Sequence, residues 1–204
     1  MSRTIKVLLA EDQAMVREAL AALLGLEEDI EVVAQVARGD EVLDAARTHG
    51  VDVALLDIEM PGATGIEAAA LVHRELPGVK LVVLTTFGRP GYLRSAMESG
   101  ADAFLVKDAP AAQLAAAVRK VLAGERVIDP TLAAAALAEG ANPLTDRERE
   151  VLRAAADGST NAELAKALHL SQGTVRNYLS TAIQKLAVRN RTEAVRVARN
   201  KGWL

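Results

Sequence analysis

The sequence predicts an α/β fold, a doubly wound parallel sheet of five strands, followed by an all-α module of four helices. Three observations carry this. Short apolar runs alternate with segments of helical period through the first 125 residues, as in successive β-α units whose crossovers run through helices. Half of the 204 residues are apolar but only 2% are aromatic, so Ala, Leu and Val must build the core, which suits helices packed on a parallel sheet. Beyond Gly124 the strand-like runs cease and helical spacing takes over.

The elements follow in order. Ile5 to Ala10, Glu31 to Val36, Val53 to Leu56, Leu81 to Leu84 and Ala103 to Val106 read as strands. Their unbroken apolar runs suit strands covered on both faces. Helical period runs over Ala14 to Leu26, Asp40 to Thr48, Ile66 to Glu75, Tyr92 to Glu98 and Ala111 to Ala123. Right-handed crossovers leave few topologies, of which the flavodoxin-like order 2-1-3-4-5 is the expected one. Residues 1–125 form this first domain. Residues 126–142 read as a linker with one Ala-rich helix, Thr131 to Ala138, before Gly140, Asn142 and Pro143. Residues 143–204 form the helical module. Thr145 with Glu148 three residues on is a capping box opening a helix to about Asp157. Thr160 or Asn161 starts a second helix to Leu168, Ser171 caps a third to Leu186, and Thr192 caps a last one to about Lys201.

Charge separates the two parts. Through Glu125 there are 12 Lys or Arg against 19 Asp or Glu, whereas the remainder has 12 against 8. An acidic front and a basic tail suggest different partners, nucleic acid among those of the second. There is no cysteine, which removes disulfides and thiolate metal sites and fits a reducing compartment. No signal peptide is visible, and no run approaches the ~18–20 apolar residues of a membrane span. The expectation is a cytoplasmic protein with no membrane partner.

The first domain carries a constellation at its strand ends. In an open parallel sheet, ligands bind beyond the carboxyl ends of the strands. The first strand ends in Glu11-Asp12, the third in Asp57, the fourth in Thr85-Thr86, and Lys107 follows the fifth at once. A lone strand-terminal Asp is ordinarily a turn or cap residue, and Thr85 or Lys107 alone is unremarkable. Their joint placement is not. Three carboxylates on one rim repel one another unless a cation sits among them, and hard oxygen donors without His or Cys point to Mg²⁺. Beside such a cation an Asp carboxylate can attack phosphorus and form an acyl phosphate, with a lysine and a hydroxyl binding the phosphoryl oxygens.

The stretches "LLAEDQ", "LLDIEMPGATG", "VVLTTF" and "AFLVKDAP" resemble the receiver domain of two-component response regulators, over residues 4 to 123. The resemblance implies that Asp57 is the phosphorylation site. It also implies that Asp12, Asp57 and the backbone carbonyl of Glu59 ligate Mg²⁺, with Glu11 binding through water. Thr85 and Lys107 would hold the phosphoryl oxygens, and Phe104 stands where the family has its aromatic switch. A sensor histidine kinase is the implied donor.

In the tail, "HLS" separates two helices. Val175, Leu179, Ile183 and Leu186 give the second an apolar stripe. Outside it lie Thr174, Arg176, Asn177, Ser180, Thr181 and Lys185, short polar or basic side chains suited to base edges and phosphates. Two helices and a tight turn also occur in bundles that bind proteins. "LTDREREVL", "TNAELAKALHLSQGTVRNYLSTAIQKL" and "NRTEAVRVA" resemble the LuxR-type DNA-binding domain, so the whole chain is similar to the NarL/FixJ response regulators. The resemblance puts Arg176 and Asn177 on bases, beside Thr174, and Lys185 on a phosphate. Ser180 occupies a third base-contact position, where several relatives carry a basic residue. The last helix, with Val195 and Ala198, lies where the family's DNA-bound domains pair, which implies a homodimer on promoter DNA. "TTFGRPGYLRSAM" resembles the branch of the family that controls membrane-lipid desaturation.

Two rivals stand beside this reading. Asp57-Ile58-Glu59 is vaguely similar to aspartyl-phosphate phosphatases, but these place a second Asp where Glu59 stands. A LuxR-type factor with a vestigial receiver, independent of phosphorylation, is the other.

Overall fold

The computed structural model describes residues 3–86, 90–139 and 142–204. The chain forms two compact units, the first holding a sheet with its helices and the second running over Ala135–Leu204.

The sheet is wholly parallel and its strands lie in the order β2-β1-β3-β4-β5-β6. These are β1 (Ile5–Ala10), β2 (Ile30–Val36), β3 (Val53–Asp57), β4 (Lys80–Thr85), β5 (Ala103–Val106) and β6 (Val127–Ile128). The expected order of five is present, with a sixth strand of two residues added at the edge beside β5. That strand falls in the stretch the sequence reads as linker. Its residues form one rung each with Ala103 and Phe104, too short a run to leave a period in the sequence.

Helices α1 (Ala14–Leu24), α2 (Val42–His49), α3 (Gly65–Glu75), α4 (Pro90–Glu98) and α5 (Ala111–Leu122) connect the strands. Side chains alternate faces along a strand, and the core divides accordingly. Val7, Leu9, Val53, Leu55, Val82 and Leu84 pack with Leu24 of α1 and Leu114, Val118 and Val121 of α5. Leu8, Ala10, Ala54, Leu56 and Leu81 pack with Val42 and Ala46 of α2 and Ala68, Ala69 and Val72 of α3. Every residue of β3 is buried, which is why its sequence shows no polar alternation.

Helix α6 (Pro130–Glu139) precedes the second unit's four helices, α7 (Asp146–Ala154), α8 (Asn161–Ala167), α9 (Gln172–Lys185) and α10 (Arg191–Asn200). Both Thr145–Glu148 and Thr160–Glu163 form complete capping boxes, and the Ser171 hydroxyl caps α9. The cap of α10 is Asn190 rather than Thr192, since the Asn190 side chain accepts from the Glu193 amide. Thr192 lies one residue inside the helix. Asn with Glu three positions on is itself a capping signal, so the correction was readable in the sequence.

The core of this unit joins Val151, Leu152, Leu164, Val175, Leu179, Ala182, Ala194, Val195, Ala198 and Trp203. Val195 and Ala198 therefore face inward, into this core. Between α8 and α9, His169 adopts a left-handed φ of 53°. The turn reverses the chain there without a glycine.

Candidate functional site

Asp57 is the last residue of β3, registered against Leu84 of β4. The strand delivers it to the rim, and the loop that follows is fixed from two sides. The Gly65 amide donates to the Ile58 carbonyl at 3.0 Å, while the Gly39 amide donates to the Pro61 carbonyl at 3.1 Å. A Cβ at Gly65 would lie 1.9 Å from the Asp57 carbonyl oxygen, so only glycine permits this approach. Thr64 and Glu67 then cap α3.

Glu11, Asp12 and Asp57 come together as expected. Each offers a carboxylate oxygen, and these atoms lie within 4.8 Å of one another. Glu11 is fully buried, Asp57 is 4% exposed, and Asp12 faces solvent. Glu11 is further held by the Gln13 amide at 3.2 Å on Oε1, and its carbonyl accepts from Arg17 at 2.6 Å. Nothing in the sequence marks Arg17 for that role.

Lys107 reaches into the cluster. Its Nζ lies 2.8 Å from Asp57 Oδ1 and also pairs with Glu11 Oε2. The Lys107 amide donates to the Thr85 carbonyl at 2.8 Å, so the ends of β4 and β5 are joined at the rim. Thr85 is buried, and Phe104 is fully enclosed, registered against Val83. Glu59 lies in the exposed part of the loop.

The electrostatics follow from this crowding. Burial pushes the Asp57 carboxyl above its ordinary value, and the hydrogen bond and charge of Lys107 only partly offset it. Burial works against the Lys107 ammonium, yet its bonds to Asp57 and Glu11 prevail and raise its pKa. The rim is thus an excess of negative charge in low dielectric, with one cation already drawn in. A hard divalent cation fits such a donor set.

On the second unit, Arg176, Asn177 and Ser180 are exposed on α9. The Thr174 hydroxyl lies 2.7 Å from that of Ser171, within the cap, and Thr181 donates to the Asn177 carbonyl at 2.9 Å. Lys185 sits at the last turn, its Nζ 2.8 Å from Glu148 Oε2. Glu148 was legible as a cap residue but its distant partner was not. Phe87, Gly88 and Arg89, central to the desaturation-branch resemblance, lie outside the described residues. Among the described residues no helix is long and apolar enough to cross a membrane.

Comparison with known proteins matches both units. The family described as "Response regulator receiver domain" covers residues 7–119, and "Bacterial regulatory proteins, luxR family" covers 142–198. The transcriptional regulatory protein DesR of Bacillus subtilis (strain 168) is 46% identical over 199 residues, 98% of each chain. The uncharacterized transcriptional regulatory protein YvfU of the same strain is also 46% identical, over 98% of this chain and all of its own. The crystal structure of ChrA, the response regulator of a heme-sensing two-component system, is 33% identical and covers 98% of this chain and 99% of its own, with a TM-score of 0.60. An RcsB–DNA complex, at 23% identity, has the same fold with a TM-score of 0.68 over 98% of this chain and 99% of its own. The chain therefore belongs to the NarL/FixJ-type response regulators, DNA-binding transcription factors rather than enzymes, with a receiver domain followed by a LuxR-type domain.

Proposed function

We propose that Asp57 accepts a phosphoryl group from a sensor histidine kinase, and that this switches the chain into a homodimer bound at promoter DNA. The observation that carries the reading is the meeting of Glu11, Asp12 and Asp57 oxygens within 4.8 Å, with Lys107 Nζ 2.8 Å from the acceptor. An Asp57 oxygen attacks phosphorus. A P–O bond forms as the P–N bond to the donor histidine breaks, and the imidazole nitrogen keeps the electron pair and takes a proton.

Glu11, Asp12, Asp57 and the Glu59 carbonyl are the groups to hold Mg²⁺, which when bound neutralises charge on the transferring oxygens. Lys107 and Thr85 hold the product's oxygens. The modification adds roughly −1.5 to −2 charges beside a buried ammonium. Thr85 then moves toward the new anion and Phe104 repacks into the space behind it, a local event with a two-state readout.

In the LuxR-type domain α9 is the recognition helix. Thr174, Arg176, Asn177 and Ser180 face bases, and Lys185 faces a phosphate. Pairing two such domains on adjacent half-sites raises affinity through effective concentration without new contacts. Membrane-lipid desaturation genes are one target class to include, on the resemblance of residues 85–97.

The test is direct. With Mg²⁺ and acetyl phosphate or beryllofluoride, the wild type shifts toward a dimer in analytical ultracentrifugation, and Asp57→Ala does not. Failure of every donor to modify the wild type overturns the switch and leaves a regulator that binds DNA without it. Arg176→Ala loses discrimination between sequences, and an unchanged footprint removes that residue from the reading surface.

A further inference from the structure

Outside the acidic rim, Glu148 is the one buried ionisable side chain among the described residues. A capping box explains why Glu stands three residues after Thr145 but not why it is buried. In the boxes at Thr64 and Thr160, Glu67 and Glu163 are exposed and bond within their own caps. Glu148 differs. Its Oε2 accepts from the Thr145 amide at 2.7 Å and from Lys185 Nζ at 2.8 Å. One carboxylate oxygen thus ties the first turn of α7 to the last turn of α9.

At 100° per residue, Lys185 falls beside Thr174 and Thr181 on α9, between the buried stripe of Val175, Leu179 and Ala182 and the exposed polar side. Its side chain is about one-third exposed, whereas that of Glu148 is 5% exposed. An ammonium has three donors, and this pair uses one. A lysine ordinarily wanders over many rotamers. Here the buried acid anchors it at the flank of the polar face.

We propose that Glu148 is a positioning residue for DNA binding, which holds the Lys185 ammonium so that its remaining donors meet the phosphates bordering the recognition helix. The inference rests on the reading of α9 as that helix. It reverses a simple electrostatic expectation. An acid that merely neutralised Lys185 would oppose DNA, and removing its charge would tighten binding. An acid that aims the lysine has the opposite effect.

The experiment measures binding of the full chain to a random-sequence duplex across a salt series, for the wild type, Glu148→Gln, Lys185→Ala and the double variant. Gln still accepts the Thr145 amide, so the cap survives, and thermal melts confirm folding. Glu148→Gln is expected to weaken binding several-fold and to lower the slope of log K against log salt by about 1, matching Lys185→Ala. The double variant should be no weaker than either single one. Equal or tighter binding by Glu148→Gln overturns the inference, as does weaker binding with an unaltered slope. Should Glu148→Gln fail to fold, an unaltered slope for Lys185→Ala overturns it equally. Absence of wild-type binding to any duplex refutes the DNA-reading helix itself and the inference with it.

Discussion

Lys107 Nζ lies 2.8 Å from Asp57 Oδ1, with both side chains almost wholly withdrawn from water at 7% and 5% exposure. The same ammonium pairs with Glu11. A buried cation shared between two acids is stabilising only while all partners are present, because removal of one leaves uncompensated charge.

Lys107→Ala is accordingly expected to destabilise the metal-free chain by ~3 kcal/mol. Mg²⁺ should narrow the gap, since a cation that binds the folded site stabilises it by mass action. Melting curves with and without Mg²⁺ check both parts; a gap indifferent to the ion would refute the second.

Gly65→Ala places a methyl 1.9 Å from the Asp57 carbonyl oxygen. The obstructing atom is backbone, so the loop must move. A loss of about 2 kcal/mol or more is expected from overpacking, together with slower modification of Asp57 by acetyl phosphate. Denaturant midpoints and phosphorylation rates would show it.

Ala187 follows α9 with a φ of 53°. A left-handed conformation strains any residue with a Cβ by ~1–2 kcal/mol, partly offset in a Gly variant by the freer unfolded chain. Ala187→Gly should therefore raise stability by a few tenths to about 1 kcal/mol. Urea unfolding of the wild type and variant measures it.

Glu148 gives a pH prediction. Burial works against its carboxylate, but the bonds from Lys185 and Thr145 prevail and hold its pKa below the ordinary 4.5. A depressed folded pKa contributes stability that is present above the unfolded value and lost as pH falls through the folded one. Wild type should thus melt above Glu148→Gln near neutral pH, and the two curves should converge as pH drops below about 4.5. Parallel curves down to acid would refute the ion pair.

The parts of this molecule that a sequence shows are those governed by local period and spacing. The central strands announce themselves because burial on both faces leaves no polar residue between Val53 and Leu56. The rim residues were legible because each stands at the end of such a run. The capping box at Thr145 is a short-range signal and was read directly, whereas Thr160 was read only as one of two possible helix starts. What escaped is set by distant partners. Val127 and Ile128 become a strand only because β5 offers an open edge. Glu148 is drawn inward by a lysine 37 positions away. Gly65 looks like an ordinary turn residue until its approach to Asp57 is measured.

The hydrogen bond from the Lys107 amide to the Thr85 carbonyl has a consequence for how such proteins diversify. Thr85 and Lys107 are brought together at the rim by pairing of neighbouring strands, not by the loop and helix that connect them. Exposed positions between them, such as Arg94 and Glu98, are therefore open to change with new signalling partners. The meeting of the two residues at the rim would be inherited intact.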